Sequence, residues 1–142
     1  MTHSNAHVFE RVRVLIVEDH LLYREVVRMV LSRSNDIDIV GEATNGMEAV
    51  EKAAQLLPDV VVMDISMPRM DGVIATESIK ARFPHTVVIG LSAHESDHRE
   101  AMYAAGACVV LMKEDVVDEL YPALRRAMAE KVKMVGATSA QL

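Results

Sequence analysis

The sequence predicts a doubly wound α/β domain: a five-stranded parallel sheet with helices on both faces, in a (βα)5 order. Three observations carry this. β-like and helix-like segments alternate strictly along the 142 residues. Most of the β-like runs are continuously apolar and rich in Val and Ile, the pattern of strands covered on both faces. Strands joined through intervening helices run parallel, because a tight turn cannot return the chain to the same edge.

The elements follow in order. Val12–Val17 (VRVLIV), Val60–Met63, Val87–Leu91 and Cys108–Met112 read as buried strands. Ile37–Ala43 alternates more, with Ile37 and Ile39 set against Asp38 and Glu42, which suggests an edge strand. Leu22–Arg33 reads as a helix with Leu22, Val26, Met29 and Val30 on one stripe, and Gly46–Leu57 as one with Val50, Ala53, Ala54 and Leu57. Val73–Phe83 carries Ile74, Ser78, Ile79 and Phe83 at helical spacing. Ser96–Ala105 has Ser96 or Asp97 as its cap and Gly106 as its stop. Val117–Lys131 is helical, with Leu120, Leu124, Ala127 and Met128 inward. An interior proline would remove a helical hydrogen bond, so this helix is expected to start near Asp118 or Glu119, with Pro122 in or just beyond its first turn. Residues 1–10 are expected as a flexible N-terminus, 11–131 as the domain, and 132–142 as a tail or linker.

Composition narrows the function. The chain is 51% hydrophobic, enough for a core at this length. Its longest apolar run, Ala107 to Met112, is far too short to span a bilayer, and the opening residues have no apolar signal region. The single cysteine, Cys108, lies in an apolar run and is expected in the core. One cysteine forms no internal disulfide, and a reducing cytoplasm fits. A net charge of −6 argues against a nucleic-acid surface on this segment. His20, His94 and His98 lack metal-like spacing and are expected on the surface without a catalytic role.

The chemistry sits at the strand ends. Strand one runs into Glu18 and Asp19, strand three into Asp64, strand four into Ser92 and strand five into Lys113. In a sheet of order 2-1-3-4-5, strands one and three meet at the switch point, where such folds place their sites, and Glu18, Asp19 and Asp64 converge. Three carboxylates repel one another, and a divalent cation with oxygen ligands relieves this; Mg²⁺ needs few carboxylates and suits phosphate chemistry. Lys113 adds a fixed positive charge and Ser92 a hydroxyl, which together make a cradle for a phosphoryl group. The central carboxylate can then act as a nucleophile and form an aspartyl phosphate. Each residue has a plainer reading: an acidic pair after a strand is often a helix cap, a terminal lysine a solvated edge, a serine a turn. Their conjunction at four strand ends is what the plainer readings do not explain.

These residues carry a resemblance. The acidic pair in IVEDH, Asp64 in VVVMDISMPRMDG, Ser92 in GLSAHE, Lys113 in GACVVLMKE and Gly72 together resemble the receiver domain of two-component response regulators, over about residues 11–131. LIVEDH, GEATNG and GLSAH look most like the subfamily with a helix-turn-helix output, typified by NarL and FixJ. The resemblance implies a flavodoxin-like fold and a cytoplasmic phosphoacceptor rather than a turnover enzyme. Asp64 takes a phosphoryl group from a sensor histidine kinase or phosphotransfer protein. Asp19, Asp64 and the Ser66 carbonyl bind Mg²⁺, Glu18 acts through water, and Lys113 and Ser92 meet the phosphoryl group. It further implies a rearrangement of the face formed by helix four, strand five and helix five, through which homodimers can form, and no contact of this segment with nucleic acid or membrane.

Two departures stand out. Val110 occupies the place of the usual strand-five aromatic, and Glu114 that of a frequent proline after the lysine, so a trans Lys113–Glu114 peptide is preferred. Tyr103, on helix four, is a candidate to fill the space of the missing ring, although an ordinary core-edge role is the plainer expectation. A hydrolase with an aspartyl-phosphate intermediate would want an acid two residues after Asp64, where Ser66 stands. A pure interaction module would not need the full acidic set and lysine.

Overall fold

A computed structural model describes residues 10–94 and 98–141. Five strands and five helices alternate: β1 (Val12–Val17), α1 (Leu21–Ser32), β2 (Ile37–Ala43), α2 (Gly46–Leu56), β3 (Val60–Asp64), α3 (Gly72–Arg82), β4 (Val87–Ser92), α4 (Arg99–Ala105), β5 (Val109–Met112) and α5 (Val116–Gln141). The sheet is parallel throughout, in the order β2-β1-β3-β4-β5.

The side-chain period of two divides each strand between two cores. Val14, Ile16, Val60, Val62 and Ile89 face a core built with Val27, Val30 and Leu31 of α1 and Leu120 and Leu124 of α5. Leu15, Val17, Val61, Met63 and Val88 face the other, with Ala49 and Ala53 of α2, Ala75 and Ile79 of α3 and Met102 of α4. Every residue of β3 and β4 is buried, so their continuous apolar runs belong to strands covered on both sides. Each fully buried Val, Leu or Ile contributes roughly 1.5–3 kcal/mol relative to an exposed one. β2 is an edge strand, as its alternation predicts, and its register against β1 shifts between Val14 and Leu15, which leaves Val40 as the extra residue.

Several expectations need correction. β3 and β4 extend one residue further than predicted, so Asp64 and Ser92 are the last residues of their strands. The stripes predicted for the first three helices hold in part: Val30, Ala53 and Ile79 are buried as expected, but Leu22, Met29, Leu57 and Ile74 are exposed, while Val27, Leu31, Ala49 and Ala75 also face inward. These helices carry apolar residues on more than one side, so spacing alone does not choose the face. Cys108 precedes β5 and is exposed, because the inward position beside it goes to Ala107. A short 3₁₀ turn, Lys113–Asp115, leads straight into α5 at Val116, which places Pro122 about two turns inside the helix rather than in its first turn. Pro122 is exposed, so its ring points to solvent. α5 continues past residue 131 to Gln141, and the segment expected as a tail is helical there. Ser96 and Asp97, and residues 1–9 of the expected flexible N-terminus, lie outside the described residues. α4 begins at Arg99 and ends, as predicted, on Gly106, whose φ of 120° a side-chain-bearing residue adopts only with strain.

Candidate phosphoacceptor site

β1 and β3 are neighbours, and both run into acids at the same edge of the sheet. Glu18 is fully buried. Its Oε1 lies 2.9 Å from the Lys113 ammonium, and its Oε2 accepts the His20 main-chain N–H at 3.1 Å. Asp64 is 2% exposed; its Oδ1 lies 3.4 Å from the same ammonium and accepts the Ser66 N–H at 3.3 Å. Lys113, directly after β5, thus bridges the ends of β1 and β3. The plainer reading of Glu18 and Asp19 as a helix cap fails: the N-cap of α1 is His20, without a side-chain cap bond, and the first turn holds no acid.

The electrostatics show a surplus of negative charge. Burial, and next the charge of Glu18, push the Asp64 carboxyl up to about 7, with Lys113 pulling the other way. Burial would lower the Lys113 pKa, but its bond to Glu18 and the charges of Asp64 and Glu18 carry it above the usual lysine value. Asp19 Oδ1 is buried and has no hydrogen-bond partner among the described residues. An orphaned carboxylate oxygen costs free energy unless something positive meets it. Glu18, Asp19 and His20 hold possible ligand atoms within 4.8 Å of one another. The acids offer the hard oxygen donors that suit Mg²⁺; the His20 imidazole, 80% exposed, does not. The residues present fit a divalent cation of that class.

The loop after β3 is pinned from several sides. Ile65 N–H donates to Leu91 O at 3.0 Å, Gly72 N–H to Ile65 O at 2.8 Å, and Gly46 N–H to Met70 O at 2.9 Å. Asp71 caps α3 by accepting the Ile74 N–H at 3.0 Å. A Cβ on Gly72 would lie 2.2 Å from the Asp64 carbonyl oxygen, so only glycine lets α3 start this close to the end of β3. Ser66 is exposed in this loop. A family model for the response regulator receiver domain matches residues 14–125.

The chain belongs to the response regulator receiver family.

It is 36% identical over 118 residues to the response regulator protein VraR of Staphylococcus saprophyticus, covering 81% of this chain and 56% of VraR. It is 37% identical over 130 residues to a protein-glutamate methylesterase/protein-glutamine glutaminase of Alkalilimnicola ehrlichii, covering 89% of this chain and 33% of that protein. Among solved structures, the signal receiver domain of the putative response regulator NarL from Mycobacterium tuberculosis superposes with a TM-score of 0.74 at 34% identity, over 84% of this chain and 98% of that one. The receiver domain is therefore NarL-like, and it spans about half or less of these curated relatives' length. Among the described residues no helix is long and apolar enough to cross a membrane.

The remaining predicted residues fall where strand ends place them. Ser92 is fully buried, and its hydroxyl donates to the His94 carbonyl at 2.5 Å. The Lys113–Glu114 peptide is trans, as preferred, since no described peptide bond is cis. Val110 faces the core. Tyr103 is exposed, and its hydroxyl oxygen accepts the Val110 N–H at 3.0 Å on the open edge of β5. Arg99 covers the same edge, donating to Val110 O at 3.4 Å and Met112 Sδ at 3.2 Å.

Sequence reasoning missed two residues here. Arg24 donates to Glu18 O at 2.9 Å and pairs with Glu42 at 2.8 Å, which fixes the end of β1 against β2. Tyr23 donates its hydroxyl to Lys113 O at 2.8 Å. The signal for both was position: they lie in the first turns of the helix that follows the acidic pair.

Proposed function

We propose that this receiver domain accepts a phosphoryl group on Asp64, in a Mg²⁺-dependent transfer from a phosphohistidine on a sensor histidine kinase or phosphotransfer protein. The acyl phosphate then shifts its conformation to control an output, either transcription or a partner protein. The observation that carries the proposal is the Lys113 ammonium placed between Glu18 at 2.9 Å and Asp64 at 3.4 Å, with Asp64 buried and raised in pKa to about 7. A carboxylate so disfavoured as an anion gains from a cation beside it, and the more highly charged acyl phosphate gains more, which is the part Lys113 and a divalent ion play.

In the transfer, an Asp64 carboxylate oxygen attacks phosphorus; the P–O bond forms as the P–N bond breaks, and the leaving imidazole takes up a proton. Asp19, Asp64 and the Ser66 carbonyl would hold Mg²⁺, with Glu18 acting through water, and the ion would supply neutralising charge to the phosphoryl oxygens. Lys113 leaves Asp64 Oδ1 and pairs with a phosphoryl oxygen. Ser92 gives up its bond to the His94 carbonyl and donates to another, drawing the end of β4 toward the site. The two ends of that exchange define a two-state switch biased by contacts present only with phosphate bound. Readout runs through the face of α4, β5 and α5, where a phosphorylated copy can dimerise. The protein acts in the cytoplasm, contacts neither membrane nor nucleic acid through this segment, and carries out its own phosphorylation and dephosphorylation but no multiple-turnover reaction.

Intact-mass measurement with acetyl phosphate and Mg²⁺, alongside phosphate release, tests this. One phosphoryl group per chain, with phosphate released only as the label decays, is expected. Rapid multiple turnover would make it a hydrolase, and no mass gain would leave an interaction module.

A further inference from the structure

Tyr23 grips one lysine at both ends. Its hydroxyl donates to the Lys113 main-chain carbonyl at 2.8 Å, and the Lys113 ammonium lies 4.7 Å from the centroid of its ring. The carbonyl also accepts the Val116 N–H, so the turn that follows β5 is tied to α1 on one side and to α5 on the other. We propose that Tyr23 is a positioning residue that holds the Lys113 ammonium over the acidic crevice for a phosphoryl group. This rests on the reading of Lys113 as the cation that meets the phosphoryl oxygens.

The argument is one of competing partners. The ionic partners of Lys113 are Glu18 and Asp64, and both are drawn elsewhere once metal and phosphoryl group arrive. A lysine on a flexible four-carbon stem would then be free to swing into solvent. The Tyr23 ring is neutral. It ligates no metal and competes for no phosphoryl oxygen, and its π-face keeps its hold on the ammonium once Glu18 and Asp64 have let go, when a lysine without the ring would swing out. The hydroxyl fixes the other end of the side chain by anchoring the backbone it springs from. Burial, and then the Glu18 and Asp64 charges, hold the phenol well above its usual pKa, so it remains a donor to that carbonyl. α1 therefore takes part in setting where the charge that follows β5 sits.

Two variants and two measurements test this. Tyr23→Phe keeps the ring and loses the hydroxyl bond; Tyr23→Leu loses both. The Lys113 ε-methylene resonances, followed by NMR without metal or phosphoryl mimic, should be shifted upfield by the ring in the wild type and in Tyr23→Phe, and should return to ordinary lysine values in Tyr23→Leu. In saturating Mg²⁺, beryllofluoride should bind Tyr23→Leu more weakly on the order of tenfold, the scale of a desolvated cation–π contact. Tyr23→Phe should lose no more than about threefold, the scale of one neutral hydrogen bond. Mg²⁺ affinity without the mimic should be the same in all three proteins. Beryllofluoride binding to Tyr23→Leu as tight as to wild type, an equal loss in both variants, or unmoved Lys113 resonances would each overturn the proposal. If the wild type takes up neither beryllofluoride nor phosphoryl group, the phosphoacceptor reading is what fails, and the lysine resonances still decide whether Tyr23 holds Lys113.

Discussion

Asp64 is an acid kept in an unfavourable ionisation state, and that has a measurable cost. Folding raises its pKa from 3.8 to about 7. Between those values the folded chain binds a proton that the unfolded chain has released, so stability falls as pH rises from about 4 through 7 and levels off above. Asp64→Asn removes this slope. In Mg²⁺-free buffer the variant should be more stable than wild type at pH 8, by at most about 4 kcal/mol, and the gap should close toward pH 4. Urea unfolding across that range measures it; parallel curves for the two proteins would contradict the assigned burial and charge. Mg²⁺ should close the gap from the other side by stabilising the wild type more. At this scale the sequence was informative because acids, a serine and a lysine at apolar strand ends have few plain explanations. It was silent where geometry decides. Nothing in the spacing shows that Ser92 bonds to His94, that Tyr23 reaches Lys113, or that Cys108 lies exposed just before β5 while Ala107 turns inward.

The helices were legible as elements and less so as surfaces. All five lie near their predicted places, yet Leu22, Met29 and Ile74 face solvent because apolar residues occur on both sides of their helices. Pro122 illustrates a local rule overridden by packing. Val116, Leu120 and Leu124 lie buried on α5 at spacings of four, and this stripe draws the helix back through the proline to Val116. Pro122→Ala restores an N–H toward the Asp118 carbonyl at an exposed position and should stabilise the chain by roughly 1–3 kcal/mol. A urea midpoint no higher than that of wild type would show that the proline is accommodated without cost. α4 raises a second expectation. Tyr103 and Arg99 occupy both main-chain groups of Val110 on the β5 edge, and Val110 itself is too short and stiff to switch rotamer as a strand-five aromatic would. Activation should therefore move α4 together with Tyr103. Structures with and without beryllofluoride check this, and an unmoved Tyr103 and α4 beside a displaced Ser92 would rule it out.

At the scale of the whole molecule, strict alternation and apolar strands led directly to the parallel sheet, and the observed order 2-1-3-4-5 is what brings β1 and β3 together as the base of the site. A net charge of −6 opposes association with a polyanion, so the chain should form no sequence-specific, salt-sensitive complex with DNA near physiological ionic strength. Titration of labelled duplex at several salt concentrations tests that, and a specific complex would contradict it. The central claim is that one carboxylate, Asp64, becomes the acyl phosphate. Borohydride reduction after acetyl phosphate treatment with Mg²⁺ converts a phosphorylated aspartate to homoserine, and peptide mass spectrometry locates it. Homoserine at position 64 alone, absent from Asp64→Asn, is the predicted result; homoserine at another acid in the wild type, or undiminished labelling of the variant, would contradict it.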